Sequence, residues 1–163
     1  VSTDAVGRLS GQTSAETGTG QAGAASKIAT EFFAALGRGD IDTAFRGVSP
    51  SAEVILHATD QDGGPEVARA FFEQAWTAFP DLRLTVHSSF GCGDGRALVE
   101  LTFEGTQAAD FLGAINQEKH LDIEQAWVLS TDGGVITGLT AYWDQNKLYR
   151  RLAVKRLDQI AIA

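Results

Sequence analysis

The chain has 163 residues, 44% of them apolar and 21% charged, with 21 acidic against 13 basic residues and a formal net charge of −8. That balance excludes a disordered chain, a basic footprint for nucleic acid and a polybasic membrane anchor. No run of about 18 apolar residues offers a membrane span. The single cysteine, Cys92, makes neither an internal disulfide nor a cysteine-based zinc site, so one soluble, acidic, cytoplasmic domain is expected.

Val1 to Ala25 contains no aromatic residue and is built from Gly, Ser, Thr, Ala and Gln. It reads as a flexible tail, because it buries too little apolar surface to offset its ordering entropy. It lacks the apolar core of a secretory signal, and the absence of methionine suggests a processed N-terminus. Ser26 caps a predicted helix to about Leu36, whose Ile28, Phe32 and Leu36 recur at i, i+4 and i+8. Asp40 caps a short second helix through Ala44 and Phe45. Ala52 to His57 reads as a strand, and Thr59 to Gly64 as a loop. Pro65 then opens a helix carrying Val67, Ala68, Phe71, Phe72, Ala75, Trp76 and Phe79.

Beyond Pro80 the period changes to alternation. Strands are predicted over Leu82 to Val86, Ala97 to Phe103, His120 to Leu129 and Val135 to Trp143. Turns at Asp94-Gly95 and Asp132-Gly133-Gly134 separate them. The layout is α+β, with helices on one side of a mainly antiparallel sheet.

Four segments carry a family resemblance. Phe32 to Asp42 (FFAALGRGDID) resembles the opening helix and turn of the nuclear transport factor 2-like superfamily. Ala78 to Val86 (AFPDLRLTV) and Phe103 to Gly113 (FEGTQAADFLG) are similar to stretches of SnoaL-like polyketide cyclases, and Tyr142 to Val154 (YWDQNKLYRRLAV) resembles their terminal strand. The match spans roughly Ser26 to Val154, leaving 155–163 as a C-terminal tail. It implies a conical fold, a strongly curved sheet around an apolar pocket, and homodimers or higher homo-oligomers formed through the sheet. It also implies a cofactor-free ring closure by intramolecular aldol chemistry on a hydrophobic, polyketide-like small molecule.

The resemblance makes Asp144 the general acid/base, a role that a dry pocket would favour by strengthening the carboxylate as a base. On residues alone, the favoured reading is that Asp144 ends a strand and caps the turn at Gln145. His57, where the family often has a histidine at the pocket mouth, would contact a substrate carbonyl or hold Asp144. Gln107 stands where many members have histidine, and Phe33 where tyrosine is common. An amide can hydrogen-bond an oxygenated ring but cannot shuttle protons. Phe33, Phe72, Trp76, Gln107, Trp127 and Tyr142 are the expected substrate contacts, although such aromatic residues also build ordinary cores. Alternation puts Tyr142 with Asp144 on one face and Trp143 on the other; if Asp144 faces inward, Trp143 packs on the outside.

Two alternatives stand beside the cyclase: a non-catalytic binding or scaffold domain of the same fold, and a limonene-type epoxide hydrolase. The latter would use Asp110, Asp122 or Glu124, but His120 sits where a bridging arginine would be needed. The three histidines lack metal-ligand spacing, so no metal or organic cofactor is expected. The environment of Asp144 separates catalysis from binding: a buried carboxylate on a pocket floor favours the first, and a water-exposed one the second.

Overall fold

The computed structural model describes residues 13–155, with side chains from residue 18 onward. The first helix, α1, runs Thr13–Gly37, so the predicted start at Ser26 and the tail assignment of residues 13–25 are corrected. The rest of the predicted tails, 1–12 and 156–163, lies outside the described residues. The early half of α1 is held by tertiary contact rather than by an apolar stripe. Ala22 and Ser26 meet the strand that carries Ser89 and Gly91: the Ser26 and Ser89 hydroxyls are 2.9 Å apart, and a Cβ at Gly91 would lie 1.8 Å from the Ala22 carbonyl oxygen. Only a glycine lets the helix backbone approach so closely. The helix ends where Gly39 takes φ +76° and its N–H reaches the Leu36 carbonyl at 3.0 Å.

Helix α2 (Ile41–Arg46) is capped by Asp40, whose carboxylate accepts the Thr43 N–H at 3.2 Å. Strand β1 (Val48–Leu56) is longer than predicted, and a 3₁₀ turn at His57–Thr59 follows it. The predicted loop Thr59–Gly64 contains a further short strand, β2 (Gln61–Gly63), which pairs antiparallel with β1. Helix α3 (Pro65–Ala78) has its proline in the first turn, as expected. Strands β3 (Arg83–Gly91), β4 (Arg96–Thr106), β5 (His120–Asp132) and β6 (Val135–Trp143) form an antiparallel meander, and α4 (Gln145–Arg151) closes the described chain.

The sheet order is β2-β1-β6-β5-β4-β3, and β1 runs parallel to β6. The register sorts side chains into two faces. Val99, Trp127, Ala141 and Leu56 share an inner row, as do Ala97, Leu129, Leu139 and Val54, and all of these are buried. Helices α1 and α3 cover that face: Phe72 of α3 stacks on Trp127 at 5.4 Å, and Phe33 of α1 meets the same indole edge-on at 5.6 Å. Phe71, Phe79, Phe103 and Phe111 extend the aromatic packing toward the 107–119 connection, with Phe79 and Phe111 centroids 5.0 Å apart. Among the described residues no helix is long and apolar enough to cross a membrane.

Candidate functional site

The alternation of β6 is set by Leu139 and Ala141, both fully buried, which turn the next odd-numbered residue inward. That residue is Trp143, whose ring stacks on Phe71 at 5.2 Å. Tyr142 therefore points outward and is 47% exposed, stacked at 4.7 Å on the exposed His57 ring. The conditional placement of Trp143 on an outer packing face is corrected: the tryptophan occupies the interior and the tyrosine the surface.

Asp144 is exposed and caps α4, its Oδ1 accepting the Lys147 N–H at 2.9 Å. An exposed, capping carboxylate is the arrangement that sequence analysis associated with binding or structure. His57 makes its ring contact with Tyr142, so these residues gather at the end of β6 on the outside of the sheet.

The other expected contacts fall deeper. Phe33, Phe72 and Trp127 are buried core. Trp76 is half-buried, donating its indole N–H to the Leu36 carbonyl at 2.9 Å and lying against Gly39. Gln107 is only 2% exposed and uses both amide ends inside its own loop. It donates to Ala114 O at 3.0 Å and accepts from Gln117 N at 3.2 Å.

The carboxylates weighed for epoxide opening have separate partners. Asp110 accepts the Asn116 N–H at 2.8 Å, and Asp122 lies 3.2 Å from Arg151. The Asp122 oxygen nearest the guanidinium has no well-directed hydrogen bond, so the contact is a charge pair only. Glu124 joins His87 and Thr102 on the outer face, with His87 Nε2 2.6 Å from the Thr102 hydroxyl. No group of three or more His, Cys, Asp or Glu side chains among the described residues is placed to hold a metal.

A groove of about 470 Å³ opens at the end of the sheet where the 3₁₀ turn, β2 and α3 meet the 107–119 loop. Its floor is Val67, Ala70, Phe71 and Leu112, and Asp60, Asp62, Glu66 and Gln74 give it a polar rim. Phe71 joins this groove to the interior, because its ring contacts both Trp143 and Trp127.

Behind it stands a residue that the sequence reading missed. Gln125 is only 4% exposed and sits on the inner face of β5, in register with Leu101 on one side and Trp143 on the other. Its Oε1 accepts the Trp127 indole N–H at 3.0 Å, whereas its amide nitrogen donates to no described residue. The signal was present in the alternation of Leu121, Ile123, Gln125, Trp127 and Leu129, where glutamine is the one amide among inward positions. An open amide donor in an aromatic setting suits an oxygen acceptor brought by a ligand. The carboxylates held below the ordinary range, Asp40 by the Thr43 hydroxyl and N–H and Asp94 by the Arg96 guanidinium, do not line this groove.

Solved structures share this architecture. The chain is similar to a protein from Jannaschia sp. CCS1 assigned as a SnoaL-like polyketide cyclase, with TM-score 0.73 and 18% identity over 92% of this chain and 100% of that one. It is also similar to AclR of Streptomyces galilaeus, assigned as a hydroxylase (TM-score 0.70, 22% identity, 79% and 84% covered). IdmH of Streptomyces antibioticus, assigned as a polyketide cyclase, gives TM-score 0.69 at 19% identity, with 80% and 99% covered. At these identities the likeness shows the nuclear transport factor 2-like fold. No curated protein matches the sequence. The model of one family, however, matches residues 27–152, from α1 through the meander to the end of α4. With that span and this fold, the chain belongs to the SnoaL-like polyketide cyclase family.

Proposed function

We propose that the chain binds a flat, hydrophobic, oxygenated small molecule that enters by the groove over Phe71 and offers an oxygen to the Gln125 amide. The observation that carries this reading is the open donor of Gln125, a 4%-exposed side chain bonded to Trp127 and in register with Trp143, whose two rings both meet Phe71 on the groove's floor. The exposure of Asp144 supports binding over general-base chemistry at that residue. A titration with 1,8-dihydroxyanthraquinone, a flat tricyclic carbonyl compound, tests the reading. Gln125→Leu should weaken binding about tenfold, as expected for one lost hydrogen bond. Equal affinity of the variant and the parent protein would rule the reading out.

Cofactor-independent cyclisation is the second reading, and two observations favour it: membership of the family, and the place of Asp144 directly after Trp143, which stacks on the groove's floor. In it Asp144 removes a proton from a carbon acidified by flanking carbonyls and returns one to the alkoxide. A positioned acid or base contributes on the order of 10²–10⁴-fold, so Asp144→Asn should lower turnover of a polyketide substrate by at least that lower bound.

Self-association through the sheet belongs to the same proposal. Phe90, Leu98, Val128, Thr140 and Ile55 lie in register across five strands on the outer face, with Phe90 57% exposed. A row of this length, apolar apart from Thr140, suits a second copy. Phe90→Glu should shift the sedimenting species to monomer.

A further inference from the structure

The segment between β4 and β5 has a firm base and a strained tip. At the base, the Gln107 amide ties both sides of the loop together, and the Asp110 carboxylate accepts the Asn116 N–H. At the tip, Phe111 and Ala114 exchange both backbone hydrogen bonds, at 3.0 and 2.8 Å, around a two-residue turn. The two central residues, Leu112 and Gly113, have φ of +47° and +83°. That pair of left-handed residues is the turn for which Asn-Gly or Gly-Gly is preferred. Leucine is a poor occupant because its Cβ crowds the following carbonyl.

The strained residue is also a wall of the groove. Leu112 lines it together with Phe71 and Val67. Its carbonyl accepts the Tyr149 hydroxyl of α4 at 3.2 Å. A second tie runs from the Gln117 amide to the Leu152 and Ala153 carbonyls, at 3.1 and 3.2 Å. The side chain that narrows the groove is thus carried by an unfavourable turn and fastened from outside by one phenolic hydrogen bond.

We propose that the Phe111–Ala114 turn is a lid over the groove, latched shut by Tyr149. The inference rests on the reading that the groove is the ligand's way in. Release of the Tyr149 bond lets Leu112 leave its left-handed conformation and widens the path to Phe71, while Phe111 stays anchored against Phe79 and Phe103. Stored backbone strain at such a position biases the lid toward opening once the latch is lost.

Two measurements on Tyr149→Phe, which keeps the ring's packing and removes only the hydroxyl, test this. Hydrogen exchange without ligand should speed up at the Phe111 and Ala114 amides by about tenfold, the factor for one lost hydrogen bond of ordinary net strength, and leave the Asn116 amide at the base and the β4–β5 amides unchanged. Stopped-flow mixing with 1,8-dihydroxyanthraquinone should give an association rate at least threefold higher than in the parent protein. Unchanged exchange overturns the latch. Faster exchange with an unchanged association rate overturns the lid, and a tenfold loss of probe binding in Gln125→Leu would then leave the binding site standing. Failure of the probe to bind either protein overturns the ligand reading and the lid with it, and the exchange result then gives Tyr149 a structural role only.

Discussion

Trp127 donates its indole N–H to Gln125 Oε1 at 3.0 Å, from a neighbouring position on the same inner face of β5. The two side chains have different standing in the fold. The fully buried indole nitrogen depends on the amide oxygen, whereas the amide nitrogen has a donor to offer.

Removing the acceptor should therefore cost stability. Gln125→Leu leaves the Trp127 N–H buried without a partner, a loss of about 1–3 kcal/mol. Replacing both partners, as in Gln125→Leu with Trp127→Phe, removes that penalty, so the two changes should be non-additive in a double-mutant cycle. Urea unfolding of the four proteins measures the coupling. If Gln125→Leu costs the same with and without the Trp127 indole, the hydrogen bond contributes nothing to the fold.

Asp144 can be dissected by choice of replacement. Its Oδ1 caps α4 through the Lys147 N–H, and asparagine caps about as well as aspartate, whereas alanine loses about 1 kcal/mol. Asp144→Asn should unfold within a few tenths of a kcal/mol of the parent protein, and Asp144→Ala about 1 kcal/mol earlier. The asparagine variant thus reads chemistry with the fold held constant. Turnover unchanged by that substitution would leave Asp144 a cap alone.

The elements most legible in the sequence were those set by local pattern. The Asp40 cap, the Pro65 helix start and the glycine turns at 95 and 133–134 follow from backbone chemistry that neighbouring residues control. Alternation over Val135 to Trp143 gave the strand, but it could not say which parity faced the helices. Small Ala141 and large Trp143 both belong inside, and a period of two does not distinguish a buried tryptophan from an exposed tyrosine beside it. The first half of α1 was missed for a different reason. Its support is the bare backbone of Gly91, at the end of a strand about seventy residues away, and of Gly93 in the turn after it, with the Gly18 backbone 3.4 Å from where a Gly93 Cβ would stand. The groove likewise depends on Leu112 in a left-handed turn, a conformation that its residue type does not announce.

Acid should reveal the surface carboxylates that the fold uses. Asp40, bonded to the Thr43 hydroxyl and N–H, and Asp94, bonded to Arg96, are held below the ordinary value of 3.8. A folded-state value lower than the unfolded one adds stability that is fully present above the unfolded value, and this stability is lost as pH falls through the folded one. The melting temperature should then decline below about pH 4, the ordinary carboxylate range, and Asp40→Asn with Asp94→Asn should flatten that decline. A limb of equal slope in the double variant would place the acid sensitivity on other carboxylates.

Two glycine substitutions of opposite expected sign test the α1 assignment directly. A Cβ at Gly23, within α1, meets nothing within 4 Å, whereas one at Gly91 would strike the Ala22 carbonyl at 1.8 Å. Alanine in a helix interior gains roughly 0.5–1 kcal/mol over glycine, so Gly23→Ala should raise stability and helical circular dichroism. Gly91→Ala forces the helix off β3 and should cost about 1–3 kcal/mol, the usual penalty of overpacking. It should also speed hydrogen exchange in residues 13–25 more than in α3. If residues 13–25 were an unattached tail, both substitutions would leave the unfolding midpoint where it is, and the helix would begin at Ser26.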